Sequence, residues 1–247
     1  MLKFFKKKPP EQKEATFNYE SIVVDMHSHV LPGIDDGAQT PEESIALVRR
    51  MMALGIKKII ATPHIMADYY KNTPETINNA LEILKAELVK ENISIEVEAA
   101  AEHYFDETFE PRVEKRKVMT MGDNYVLFEF SFINNPPNTM SVIQKMMENK
   151  YKPILAHPER YPYMDIEQLR KLKTWGCSLQ LNTISLTGYY GKDAKKKAEE
   201  LIDNDMIDFI SSDMHHLRHA DALEHALRMP YLEKVMFNFP LKNSLLK

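Results

Sequence analysis

Short apolar runs alternate with helix patterns through most of this 247-residue chain, and that alternation restricts its fold more than any other feature. Ile22-Val23-Val24 is the first run. Thr40-Pro41-Glu42-Glu43 then opens a helix, with threonine as the cap, proline in the first turn and acid behind it. Ile45, Leu47, Val48, Met51, Met52 and Leu54 mark one apolar face, and Gly55 ends it. Ile59-Ile60-Ala61 is the second run, and Thr73-Pro74-Glu75 repeats the same helix start. Further runs lie at 94–100, 125–130, 153–156, 177–181 and 207–210. Helix patterns at 139–148, 165–175 and 192–204 separate them, and the remainder from His219 is mostly helical. Such alternation builds parallel βα units, and about seven of them closing on themselves predict an α/β fold, a distorted seven-stranded (β/α) barrel of TIM-like type. No repeat or linker divides the chain, so 21–247 reads as one domain behind a flexible basic tail at 1–20.

In a βα barrel the site lies at the carboxyl ends of the strands. His27 and His29 form a His-x-His pair after the first run, and the Asp35-Asp36-Gly37 turn brings a carboxylate back towards them. His64 follows the second run and Glu102 the third. Glu129 lies near the end of the fourth, His157 ends the fifth, and Asp213 and His215 end the seventh. One histidine at a strand end is ordinary loop chemistry. Imidazole and carboxylate at nearly every strand end make a metal centre. Asp36 is taken as the ligand of its pair, and Asp35 as a turn residue or a partner behind the ligands. The set of nine holds no thiolate, which suits Mn, Fe or Zn and disfavours a cysteine-rich structural zinc site. Nine donors exceed the needs of one ion, so two or three divalent ions are expected, bridged by carboxylates. Arg160, three residues past His157, is placed to bind a phosphate oxygen.

Other features exclude rival chemistry. A net charge of −4 implies no general affinity for nucleic acid. The Lys-rich start, with Phe4 and Phe5, has no apolar core of signal-peptide length. It reads as a solvated tail with at most peripheral membrane contact. The single cysteine, Cys177, fits a reducing cytoplasm. It is followed by an apolar strand without arginine, so it is a buried thiol and not the nucleophile of a cysteine phosphatase.

The segments Asp25-Met26-His27-Ser28-His29, Gly33-Ile34-Asp35-Asp36-Gly37, Ala61-Thr62-Pro63-His64, Ala101-Glu102, Leu127-Phe128-Glu129-Phe130, Ala156-His157-Pro158-Glu159-Arg160-Tyr161 and Ser212-Asp213-Met214-His215 resemble the PHP superfamily. Within it they are most similar to the bacterial metal-dependent protein-tyrosine phosphatases of capsule and exopolysaccharide synthesis, the CpsB/YwqE type. The resemblance covers nearly the whole chain from Val24 on. It implies three metals of manganese type on His27, His29, Asp36, His64, Glu102, Glu129, His157, Asp213 and His215. It implies in-line attack on phosphotyrosine by a metal-bridging hydroxide, with Arg160 holding the phosphate. The implied partner is a membrane-associated tyrosine kinase that controls polysaccharide synthesis. Arg218 stands near the place of a second phosphate-binding arginine, closer to His215 than the resemblance expects, with the Ala220 region as the alternative counterpart. The loop Ile65-Met66-Ala67-Asp68-Tyr69-Tyr70 is less polar than the resemblance expects. A small-molecule phosphatase acting on histidinol phosphate would share the metals and differ in the pocket. A module that binds phosphoprotein without turnover is the rival outside enzymology.

Overall fold

Capping explains where the helices begin. In the computed structural model, which describes residues 15–247, Thr40 accepts from Glu43 N at the start of α1 (Pro41–Ala53). Thr73 and Thr76 cap each other reciprocally at the start of α2 (Pro74–Lys90), and Asp165 and Gln168 do so before α5 (Ile166–Thr174). A short helix, α3 (Phe109–Glu114), lies in a segment that carried no periodic signal. The others are α4 (Thr139–Glu148), α6 (Lys192–Asp203), α7 (Leu217–Ala226) and α8 (Pro230–Asn238). No helix among the described residues is long and apolar enough to cross a membrane.

The strands are parallel and fall into two hydrogen-bonded sheets. The first comprises β1 (Val24–Asp25), β2 (Lys58–Ala61) and β4 (Glu96–Ala99). The second runs through β3 (His64–Ile65), β5 (Glu102–Tyr104), β6 (Tyr125–Glu129), β7 (Lys152–Ala156), β8 (Ser178–Asn182) and β9 (Phe209–Ser211). The sheets are stages of one ladder. Ala61 pairs with Ala99, and after a short break His64 pairs with Glu102 in the same register. The second and third strands, expected to end at Ala61 and Ala100, therefore resume after a short break as β3 and β5, which carry His64 and Glu102. Pro63, which lacks an N–H, lies in the first break.

The last strand meets the first without a regular ladder. Asp213 N donates to His27 O (2.9 Å) and His29 N to Met214 O (2.8 Å). Below them the Asp25 carboxylate accepts from Ser212 N and Oγ. At the foot of the seam Asn243 Nδ2 donates to Val24 O and Ile210 O. The chain returns to its first strand through these bonds.

Alternation along the strands divides the core. Leu127 and Ile154 join Val24, Met26, Ile60 and Phe209 in one small buried cluster, while Val126, Phe128 and Leu155 join the larger cluster with the helices. Glu129 ends β6 on the same parity as Tyr125 and Leu127. Two sequence expectations change here. The first strand starts only at Val24, because Val23 adopts a left-handed φ of 64°. The expected tail stops short of 20: Tyr19 is buried and donates from its hydroxyl to Leu223 O (2.8 Å), and Phe17 packs edge-on against Phe237. The Lys-rich start, 1–14, lies outside the described residues.

Candidate metal centre

All nine side chains singled out in the sequence meet at one end of the strands. They form four overlapping groups: His27, His29 and Asp213; His27, Glu102 and His157; His64, Glu102 and Glu129; and His29, Asp36, His64 and His215. Within each group the donor atoms lie within 4.8 Å of one another. Glu102 is central. Its Oε2 is 3.2 Å from His27 Nε2, 3.4 Å from His29 Nε2 and 3.1 Å from His64 Nδ1, and its Oε1 is 3.0 Å from His157 Nε2. Asp213 Oδ1 lies 3.3 Å from His27 Nε2 and 3.5 Å from both His29 Nε2 and His215 Nδ1. Asp36 is the most exposed of the nine, 3.4 Å from His64 Nε2 and 3.6 Å from His215 Nε2.

Strained backbone aims two of these groups. His157 has φ 32° and Asp213 φ 49°, left-handed values that cost a residue with a Cβ roughly 1 kcal/mol or more. Asp25 helps to hold the second bend through Ser212, and burial pushes its carboxyl up to about 6.

Behind the cluster, four of the five imidazoles, all but His64, are fixed through their other nitrogen. His29 Nδ1 meets Asp35 Oδ2 at 2.7 Å, and Asp35 also accepts from Gly37 N and His64 N. Asp35 therefore lies behind His29 and in the turn, and Asp36 faces His64 and His215. His27 Nδ1 meets Gln180 Oε1 at 3.0 Å, His157 Nδ1 meets the Tyr161 hydroxyl at 3.3 Å, and His215 Nδ1 meets Asp213 O at 2.8 Å. Such contacts set tautomer and ring direction. Gln180, Tyr161 and Asn182, which donates to Asp213 Oδ2 at 2.8 Å, were not singled out in the sequence. On a strand or in a turn they read as ordinary polar or aromatic positions, and only their inward placement marks them.

Gly37 is required by space. A Cβ there would stand 2.0 Å from His29 O and 2.5 Å from His29 Cβ. Gly37→Ala is expected to displace His29 and Asp35 together and lower turnover by about 100-fold, the upper range for losing a ligand's orienting partner. Circular dichroism should show the fold retained, and wild-type turnover would mean that the loop accommodates the methyl freely.

Seven of the nine donors, all but the buried His27 and His29, line a cavity of about 490 Å³ that Arg160 also lines. The guanidinium lies 4.4 Å from the Phe132 ring centroid on one side and 4.1 Å from that of Tyr190 on the other, and Nη1 donates to Asp213 Oδ2 at 3.0 Å. Arg218 does not line this cavity. It is exposed on α7 and lines a separate groove beyond Asp36 and His215. The residue of α7 that reaches the catalytic cavity is His219. Cys177 is buried away from the cluster, and burial pushes its thiol up to about 12, as its sequence context predicted.

The comparisons with known proteins agree with this geometry. The family described as "Capsular polysaccharide synthesis, CpsB/CapC" matches residues 23–236. Tyrosine-protein phosphatase YwqE of Bacillus subtilis (strain 168) is 33% identical over 199 residues, covering 79% of this chain and 78% of that protein. Tyrosine-protein phosphatase CpsB of Streptococcus pneumoniae is 29% identical over 205 residues, covering 79% and 84%. A solved structure described under YwqE from Bacillus subtilis and CpsB from Streptococcus pneumoniae, "unique metal-dependent tyrosine phosphatases", superposes with a TM-score of 0.81 at 30% identity, covering 90% of this chain and 93% of that one. On the family match and the identity to these relatives, the chain belongs to the CpsB/CapC family of capsular polysaccharide synthesis.

Proposed function

We propose that this chain is a metal-dependent protein-tyrosine phosphatase that acts on a tyrosine kinase of capsule or exopolysaccharide synthesis. The observation that carries the reading is the convergence of nine imidazole and carboxylate donors at one end of the strands, seven of which line one cavity with Arg160. The donor set fits divalent ions. Glu102 Oε2 and His64 Nδ1 are buried 3.1 Å apart, yet neither has a partner in hydrogen-bond geometry. Buried polar atoms without partners are costly, and a bound ion satisfies both. The groups share His27, His29, His64 and Glu102, so they would hold two or three ions, with manganese favoured by the family resemblance and the absence of thiolate. Such ions supply positive charge against the phosphate oxygens and acidify water for attack on phosphorus.

The chain's own residues supply the rest. Arg160 keeps one edge of its guanidinium on Asp213 and is clamped between two rings, so it meets a phosphate already oriented. Gln180, Asp35 and Tyr161 hold the imidazoles in place while substrate binds and leaves. The buried donors keep bulk water from the centre and strengthen every charge interaction there.

The test is a comparison of rates. Manganese-loaded protein should hydrolyse a phosphotyrosine peptide with a kcat/KM at least about 100-fold above that for histidinol phosphate, a margin that a site built around one substrate's groups can reach. Preference for histidinol phosphate would favour the small-molecule phosphatase. Binding of the peptide without turnover would favour the phosphoprotein-binding module.

A further inference from the structure

Beyond the Phe132 ring that flanks Arg160, the rim of the cavity carries apolar side chains with no part in the metal centre. The loop after β6 presents Phe132 and Ile133, both of which line the cavity. Ile133 is 86% exposed, the most exposed of the large apolar side chains among the described residues, and it stands at the mouth of a charged site. The loop beneath it is fixed in shape. Tyr163 donates to Ser131 O at 2.6 Å, Ile133 N donates to Ser131 Oγ at 3.2 Å, and Thr139 Oγ1 donates to Pro136 O at 3.0 Å. The Phe132 ring stacks on Tyr161 at 5.7 Å with a 23° interplanar angle. Met66, on the loop after β3, lines the same cavity, and its N–H donates to Tyr70 O at 2.9 Å. This is the stretch whose apolar character stood apart in the sequence.

We propose that Ile133, with Phe132 and Met66, forms a preset apolar slot for the phenyl ring of phosphotyrosine, and that Ile133 sets the preference for aryl over alkyl phosphate esters. The inference rests on the phosphatase reading above and adds the residue that selects the ester group. A phosphate held at Arg160 and the metal donors directs its ester substituent outward along the cavity wall. Phosphotyrosine places a ring at the depth of Ile133. Phosphoserine places polar backbone there, which gains nothing from an aliphatic wall. The fixed loop means that little ordering is lost when the ring docks.

Ile133→Ser and the conservative Ile133→Leu test this on the metal-loaded full chain. Position 133 is at the surface, so both variants should fold. Phenylphosphonate and methylphosphonate share a head group and differ in the ring, and calorimetry reads their affinities without turnover. In Ile133→Ser the ratio of phenyl to methyl affinity should fall about tenfold, the low end for removing one apolar contact from a specificity pocket. The kcat/KM ratio for phosphotyrosine over phosphoserine peptide should fall equally, and Ile133→Leu should keep both ratios. Dividing by the wild-type ratio cancels the leaving-group difference. Unchanged ratios, or an equal loss on both ligands, overturn the slot. A wild type that does not hydrolyse phosphotyrosine at all overturns the phosphatase reading beneath it.

Discussion

Asp213→Asn is expected to leave the chain folded and lower phosphotyrosine turnover by about a thousandfold, the upper range for removing one electrostatic group from an active site. No other side chain of the cluster serves as many partners. One oxygen faces the His27, His29 and His215 imidazoles, and the other accepts from Arg160 and Asn182. Burial pushes this carboxyl up, but His27, His215 and Arg160 outweigh it and hold it well below the usual carboxylate range. It is therefore an anion at working pH. Asparagine keeps the shape and tolerates the left-handed backbone. It also removes the charge and turns an NH₂ either towards Arg160, where a donor meets a donor, or towards the ligating edge of the imidazoles, where a cation would be repelled. Metal analysis should show a lower metal content per chain, and thermal melting should show a cooperative transition. A folded variant with near wild-type turnover would sink Asp213 as a ligand. His27→Ala is expected to behave alike, since its Nε2 faces both Glu102 and Asp213.

Much of the fold, and the meeting of the nine side chains at one end of the strands, was legible because both follow local rules. Capped helix starts such as Thr40-Pro41 and Thr73-Pro74 announce βα units, and barrel geometry then turns strand-end histidines and acids into one constellation. The short strands that carry His64 and Glu102 were not legible, because two or three residues beyond a break form no apolar run. Tyr19 was lost to the tail because its partner, Leu223 O, is distant in sequence. The orienting groups Gln180, Tyr161 and Asn182 were hidden for the same reason: each partner lies on another element or across a turn, and none has a spacing of its own. Arg218 came from the family resemblance, which expects its counterpart farther from His215, and at the start of α7 it lies outside the cavity that Arg160 lines.

Chelation is expected to abolish activity and lower the melting temperature by about 5–15 °C, the shift for losing a ligand present at about 100 to 1,000 times its dissociation constant. The size of the shift should depend on pH. Without metal, protons stand in for it. Burial pulls the His64 imidazole down, but Glu129 and Glu102 outweigh it and raise it to about 9. His27 and His29 are raised by the neighbouring carboxylates in the same way, against the pull of burial. A histidine raised on folding stabilises fully below its unfolded value, 6.5 in the case of His64, and that contribution is lost as pH climbs towards the folded value of about 9. Above that window the carboxylates face one another with neither proton nor metal. His215 does not offset the loss, because burial and then His29 hold it down to about 3 and it stays neutral throughout. The metal-free protein should therefore melt progressively lower from pH 6.5 to 9, while the manganese-loaded protein, whose imidazoles are already deprotonated by the metal, should change little. The gap between the two curves widens with pH. A parallel pair of curves would mean that these histidines do not share the metal's place. Full activity in the chelated protein would remove the metal from the reaction altogether.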